Sequence, residues 1–408
     1  MRRILLVWVV LPLLSLLPVP DAHADGPPQH ALTFGSLGSG PGEMNLPTDV
    51  AIAEDGSMYV VDGDNHRIQK FDADGNFLFM WGSNGSGPGQ FKYPTGICVD
   101  SLGRVYVGDT DNNRIQRFDP AGVFQLAFGT FGSGNGQLQA PTGVCVDRAG
   151  NIFVADYHGQ RVEKFSPTGS YLAKWGTYGT NNGQFHEPYG LSVDSAGFVY
   201  VADKNNDRVQ KFTNTGSFVT LWGGNGSGSG KFDEPQSAQV DRFGHVYVSD
   251  KFNHRIQKFD WSGGYLTQWG SLGTDDGEFD APEGLRVDRS GTVIVVADWI
   301  NNRIQKFVYG SAGVPGGASK VAALAFQAPW PNPARDTVTL RFTASGAAIA
   351  RVTLVDVAGR VRARREVDPA GARTAAVTFD THALPPGLYF ATVEQDGARA
   401  GTRVAIAH

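Results

Sequence analysis

The stretch PTGICVDSLGRVYVGDTDNNRIQRFDPAGVFQLAFGTFGSGNGQLQA, Pro94 to Ala140, decides the fold, because the chain repeats it. Pro47, Pro94, Pro141, Pro188, Pro235 and Pro282 each open a copy, at a constant spacing of 47 residues. A strict period of this size means a stacked array or a closed ring. One copy reads as four short strands. The pattern predicts Gly96 to Val99, Arg104 to Val107, the alternating Arg114 to Phe118, and Phe124 to Phe128,. Asp100-Ser-Leu-Gly103 has the residue placement of a type I turn, and Asn112-Asn113 tolerates left-handed geometry,. Four such strands bury nothing alone, so six sheets packed radially give an all-β, six-bladed β-propeller.

The recurring residue types fit that geometry. Asp62, Asp109, Asp156, Asp203, Asp250 and Asp298 end the second strands, and Arg67, Arg114, Arg161, Arg208, Arg255 and Arg303 follow each by five residues. Each pair brackets a turn, and six identical copies mark a structural ion pair rather than a catalytic one. Trp81, Trp175, Trp222 and Trp269, with Phe91, Phe185, Phe232 and Phe279, read as packing between blades,.

These units (P-x-G-x-x-V-D, then V-Y-V-A-D-x-x-N-x-R-I-Q-K-F, then a glycine-rich W-G-S-x-G-S-G-x-G-Q-F) resemble NHL repeats, over about Leu32 to Phe307. The resemblance implies a six-bladed propeller. Residues 31–34 match a fourth strand, while the unit opened by Pro282 stops after its third strand, at Phe307. The two fragments make one blade, so Ala31 to Phe34 is expected to complete the last sheet and close the ring.

At the start of the chain, Arg2-Arg3, an apolar run from Ile4 to Leu17 and Ala22-His23-Ala24 have the form of a secretory signal cut after Ala24,. The competing reading is a membrane anchor, against which the run is short and broken by Pro12, Pro18 and Pro20,. No later segment is apolar enough to span a membrane as a helix. Residues 311–320 read as a linker after a propeller of 25–310, and 321–408 as a separate domain,. That domain shows short strands at Thr337 to Phe342, Ala350 to Val357, Ala375 to Phe379, Gly387 to Glu394 and Arg403 to Ile406, with Asp396-Gly397 as a hairpin turn,. A small immunoglobulin-like β-sandwich follows. Pro329 to Phe342, Ala350 to Arg362 and Leu384 to Gly397 resemble the type IX secretion sorting domain of bacteria. This implies export by that machinery to the outside or the outer-membrane surface. Val-Ala-Ile-Ala-His follows Arg403 where sorting domains commonly end near a basic residue, and a generic adhesion module is the other reading.

With 41% hydrophobic and 18% charged residues the chain is globular rather than disordered,. Residues 320–408 carry a formal charge of +4, which leaves about −10 on the propeller side once residues 1–24 are removed,. An acidic ring is a poor phosphate binder, which argues against nucleic acid. Cys98 and Cys145 hold the same place in adjacent first strands. Two buried thiols fit better there than a disulfide, because equivalent positions in neighbouring blades are usually too far apart. No G-x-S-x-G, H-E-x-x-H, C-x-x-C or P-loop occurs, and no histidine falls in a first strand, where a ring of imidazoles could hold a metal,. The amidating lyases that share the resemblance use such ligands. Neither a metal nor a cofactor is expected, and the chain is read as a monomer.

Departures from the repeat locate the candidate site. After the repeat proline, unit five has Gln236 and Gln239 and unit six Glu283 and Arg286; Tyr189 and Asp49 also break the pattern. A charge on a channel wall needs a partner, and Asp49 or Glu283 is expected to serve Arg286. The residue after the repeated Asp varies, as in Tyr157, Lys204, Lys251 and Trp299, on loops expected to share a face with the blade-to-blade connections,. Two functions follow. One is a secreted or surface propeller that binds a protein, peptide or glycan through that face. The other is a lyase or hydrolase at the channel mouth, with Asp49, Glu283 and Arg286 as its acid, base and orienting groups.

Overall fold

The computed structural model describes residues 26–309 and, beyond them, 325–326, 334–343, 349–356, 360–368, 374–382, 384–395 and 398–407. The expected signal segment, the linker and the Asp396-Gly397 turn lie outside the described residues. The chain divides into two compact units between Gly313 and Val314.

Unit one contains six four-stranded antiparallel sheets. In the second blade the strands are Pro94–Val99, Val105–Asp109, Arg114–Phe118 and Phe124–Phe128, paired in chain order. The first strand begins at its proline, and the second runs on to the aspartate. Every residue of Val105–Asp109 is buried, since neighbouring blades cover both faces of the sheet,. Apolar clusters accordingly join one blade to the next: Ala51, Tyr59 and Val61 of the first pack with Ile97, Val107 and Phe118 of the second. Trp81 belongs to this packing. A Cβ on Gly122, in the next blade, would come within 2.8 Å of its ring, and Gly122 itself has φ +79°,.

The last sheet is closed by the first strand of the chain. Gln29–Phe34 pairs antiparallel with Arg303–Val308, so that Phe34 lies opposite Ile304. Met44, Val50 and Phe71 then pack with Val295, Ala297 and Ile304 across the closure. Phe34 and Phe71 rings meet at 4.8 Å.

The repeated Asp and Arg do more than pair. Asp109 accepts from the Lys92 backbone N–H (2.8 Å), Asn112 Nδ2 (2.9 Å), Arg114 Nε (2.7 Å) and Gln116 Nε2 (3.0 Å). Arg114 turns its other nitrogens onto the carbonyls of Ser86, Gly87 and Gln90. The Gln116 amide receives the Gly89 N–H and donates to the Gln90 carbonyl. The glycine-rich loop therefore has its buried carbonyls satisfied by two side chains of the adjacent strand.

The third blade has Glu163 where the others have Gln69, Gln116, Gln210, Gln257 and Gln305. Its Oε2 accepts from Gly136 N–H at 3.0 Å. Its buried Oε1 lies 3.0 Å from Arg161 Nη2, but the two are not aligned for a hydrogen bond. Burial pushes the Glu163 carboxyl up to about 7 despite that arginine, and burial likewise raises Asp156 to about 6. A group that holds its proton more tightly when folded costs stability as pH rises from its ordinary range to its folded value. Glu163→Gln is thus expected to be near neutral at pH 4.5 and to stabilise by about 2–3 kcal/mol at pH 8, read by urea denaturation at both pH values. An equal effect at the two pH values would contradict this assignment.

Unit two holds two sheets. One has three strands (Ala325–Phe326, Thr337–Thr343, Thr374–Asp380) and the other is ordered Val361–Val367, Ala350–Asp356, Gly387–Gln395, Ala398–Ile406. Val338, Leu340, Phe342, Val352, Leu354, Tyr389 and Val404 are among its core. The sequence pattern does not predict Val361–Val367. It is a sheet-edge strand, exposed at most positions and rich in arginine, so it carries no apolar alternation,.

Candidate functional site

The first strands of the six blades line the axis and approach one another closely. A Cβ on Gly96 would lie 2.1 Å from the Thr142 carbonyl oxygen; at Gly143 and Gly190 the contacts are 2.4 and 2.5 Å, to the Tyr189 and Gln236 oxygens. What space remains at this level is a cavity of about 20 Å³, roughly one water, lined by Asp49, Gln236, Gln239 and Arg286 among others,. Arg286 reaches across the axis here, from the sixth blade to the carbonyls of Val50 and Ile97 and to Gln239 Oε1.

At the end where the first strands begin, six residues before the repeat prolines adopt left-handed φ of 42–59°: Leu46, Tyr93, Ala140, Glu187, Glu234 and Ala281. Proline disfavours the right-handed helical region for its predecessor, and the left-handed one is costly for a non-glycine residue. Each is fixed by a cap from the preceding blade. Asn302 Oδ1, His66 Nδ1, Asn113 Oδ1, Gln160 Oε1, Asp207 Oδ1 and His254 Nδ1 accept their N–H groups at 2.7–3.1 Å. The loops between second and third strands do share this face with the blade connections, since Asn65 Nδ2 donates to the Gly38 carbonyl and Asn112 Nδ2 to that of Gly85.

The next residue inward from each proline is Thr48, Thr95, Thr142, Tyr189, Gln236 or Glu283. In three blades the threonine hydroxyls are absorbed locally: Thr48 donates to the Thr95 carbonyl and Thr142 to that of Tyr189 (both 3.0 Å), and Thr95 pairs with Thr110. In the other three, larger polar groups meet. Lys251 Nζ bonds Glu283 Oε1 at 2.7 Å and sits 4.1 Å from the centroid of the Trp299 ring,. The Tyr189 hydroxyl donates to Glu283 Oε2 at 3.3 Å, and its ring meets Tyr157 edge-on at 6.0 Å. Tyr157 donates to Glu187, and Lys204 Nζ lies 3.4 Å from Glu234, 3.8 Å from Glu187 and 3.3 Å from the Tyr157 hydroxyl. Burial, then the Glu283 charge, pushes the Tyr93 phenol up to about 12 and the Tyr189 phenol well above its ordinary value. Burial, then the bond to Glu187, raises Tyr157 in the same direction. The three phenols therefore remain neutral at physiological pH, and Tyr157 and Tyr189 act as donors. Gln236 is 1% exposed, yet neither atom of its amide has a partner among the described residues,.

Six predicted residues thus come together at one mouth: Tyr157, Tyr189, Lys204, Lys251, Glu283 and Trp299. Asp49, Gln236, Gln239 and Arg286 lie deeper, around the small cavity on the axis. Arg286 donates to Gln239 Oε1 (2.8 Å) and to the carbonyls of Ile97 and Val50, with Asp49 Oδ2 at 3.8 Å. Glu283 is committed to Lys251 rather than Arg286. Three residues of extended strand separate positions 283 and 286 by roughly 10 Å, so the two side chains occupy different levels. Asp49 is held by the Val50 and Ile97 N–H groups, and burial raises its carboxyl to about 6. The acid, base and orienting set of the enzymatic reading is therefore divided, with Glu283 at the mouth and Asp49 and Arg286 at a deeper level of the axis. Cys98 and Cys145 are free and buried, and burial pushes Cys98 up to about 12 and Cys145 well above its ordinary value. No group of metal-ligating side chains is present among the described residues.

Sequence reasoning missed Tyr93, Glu187 and Glu234. A partial signal was available, because the residue before each repeat proline varies, as the one after the repeated Asp does.

The NHL repeat family matches residues 44–71, 91–118, 138–165 and 185–212, and the secretion system C-terminal sorting domain matches residues 329–407. The chain is an NHL-repeat propeller with a C-terminal sorting domain. Blades five and six of the NHL propeller lie beyond the matched repeats but keep the same four-stranded sheet and the same Asp–Arg pair. Over 58 residues the chain is 43% identical to protein lin-41 of Caenorhabditis elegans, covering 14% of this chain and 5% of that protein. Among solved structures, a gluconolactonase from Xanthomonas campestris aligns with a TM-score of 0.51 at 17% identity, over 65% of this chain and 86% of its own. A Bacteroides thetaiotaomicron protein of unknown function aligns at 0.52 and 18%, over 67% and 74%. At these identities the likeness is one of fold alone. The sorting domain indicates a secreted or cell-surface protein. No helix among the described residues is long and apolar enough to cross a membrane.

Proposed function

We propose that the NHL propeller is a binding module, exported by type IX secretion through its C-terminal domain, that captures a peptide or glycan at the mouth formed by Tyr157, Tyr189, Lys204, Lys251, Glu283 and Trp299, with Gln236 buried beneath it. The observation that supports this reading is the asymmetry of one ring: three blades carry threonines satisfied locally, and three carry the larger polar groups Tyr189, Gln236 and Glu283. An aromatic face beside paired charges and an unpartnered buried amide suits a ligand that is polar along its edges and flat or aliphatic on its faces. Lys251 and Lys204 already have acidic partners, so ligand groups would exchange with existing ion pairs rather than meet bare charge.

The test is an array of peptides and glycans probed with the full chain, followed by titration of any hit against Trp299→Ala and Gln236→Ala. Removing an aromatic or a buried amide contact at the centre of an interface costs about 2 kcal/mol, so each variant is expected to weaken binding about 30-fold. A hit whose affinity neither variant changes would place the binding surface elsewhere.

A further inference from the structure

The opposite end of the axis holds a vestibule of about 490 Å³ bounded by the ends of the first strands and the turns that follow. Arg286, which reaches across the axis to Val50, Ile97 and Gln239, lies at its inner end. Its wall is a collar of half-buried aliphatic side chains, Ile52, Val99, Val146, Val193 and Val287, each the last residue of its first strand. Four arginines face it: Arg286 at the floor, and Arg104, Arg148 and Arg289 around the rim.

The acidic groups of the vestibule are largely committed. Asp100 accepts from the Leu102 and Arg104 N–H groups and from Arg104 Nε at 2.7 Å. Asp147 accepts from the Ala149 and Asn151 N–H groups and from Asn151 Nδ2. Glu54 pairs with Arg289. Arg148, exposed on its turn, has no acidic partner among the described residues. Arg286 uses three of its five N–H groups on Val50, Ile97 and Gln239, which leaves two donors on a side chain that is 15% exposed,. A fixed guanidinium beneath an apolar ring, with a free one at the rim, is an uneven charge arrangement on an otherwise acidic propeller.

We propose that this vestibule binds a small amphipathic carboxylate, whose apolar body lies within the aliphatic collar and whose carboxylate is held by Arg286 and Arg148. The volume is that of a small-ligand site, and planar guanidinium forks match a carboxylate in geometry as well as charge. The six-fold repeat does not require the arrangement: position 286 is Ala51, Cys98, Cys145, Ser192 or Gln239 in the other blades, and the positions equivalent to Arg148 are Glu54, Ser101, Ser195, Arg242 and Arg289.

Calorimetric titration of the full chain with 4-phenylbutyrate, 4-phenylbutanol and 4-phenylbutylamine tests the proposal. The carboxylate is expected to bind about tenfold or more tightly than the alcohol or the amine, and more weakly as salt is raised. Arg148→Ala, on an exposed turn that tolerates change, is expected to weaken it about threefold or more, and Val146→Phe, which fills the vestibule, to abolish it. Equal affinity for the three compounds, no binding of 4-phenylbutyrate, or binding unchanged in Arg148→Ala would overturn the proposal.

Discussion

A chain beginning at Pro47 is expected to melt about 10 °C or more below one beginning at Gly26. The truncation removes the outer strand of the last blade, which pairs with Arg303–Val308 from Gln29 to Phe34. It also removes Met44, fully buried in the cluster that joins the last blade to the first, and the bond from the Leu46 N–H to Asn302 Oδ1 at 2.8 Å. Burial of one methionine side chain is worth about 1.5–3 kcal/mol, and the lost ladder and the Phe34–Phe71 contact bring the total to about 5 kcal/mol. For a domain of this size each kcal/mol shifts the melting temperature by about 2–4 °C. The exposed edge of Arg303–Val308 would in addition offer a template for pairing between molecules, so light scattering on heating should rise as well. Calorimetric melting of the two chains within about 2 °C of each other would show that the ring closes without its first strand.

Asp109→Ala should destabilise the propeller by about 3–5 kcal/mol, the cost of deleting one partner from a buried charge network. The Asp109 side chain is fully buried and is the common acceptor of Lys92 N–H, Asn112, Arg114 and Gln116. Without it the Arg114 guanidinium stays beneath the glycine-rich loop with its Nε–H unpaired. Five other blades keep their copies, so the loss should be local, and hydrogen exchange should quicken in residues 83–92 first. Asp74→Ala, at an exposed turn, is the matched control and should change stability by less than about 0.5 kcal/mol,. Urea denaturation that finds the two variants alike would mean that the six Asp–Arg pairs are ornamental to stability.

How much of this is legible without coordinates depends on whether a residue acts within its own unit. The Asp–Arg pairs, the blade-packing tryptophans and the strand count follow from the 47-residue period. The mouth is half legible. Tyr157, Lys251 and Trp299 stand out as departures from the repeat at a position expected to face outward. Tyr93, Glu187 and Glu234 sit one residue before the proline, where left-handed geometry sends the backbone on an unusual course that the period alone does not reveal. The sequence shows that Arg286 needs a partner, and Asp49 lies beside it, but Gln239 is the nearer group and Glu283 is held by Lys251. The arginine-rich edge strand Val361–Val367 carries no apolar pattern at all.

The sequence by itself determined the six-fold wedge, its internal pairing and the sorting domain, because those depend on residues close in the chain and repeated at fixed spacing. Tertiary structure alone decided that Arg286 reaches across the axis and that the two ends of the axis are chemically unlike. It also decided that Glu163 is buried with an oxygen that Arg161 approaches without a hydrogen bond. The first two depend on how closely first strands from different blades approach, a distance set by the curvature of the whole ring and encoded in no single repeat. The third depends on a loop carried in from the preceding unit, whose carbonyls and amides meet the strand only once the blades have stacked.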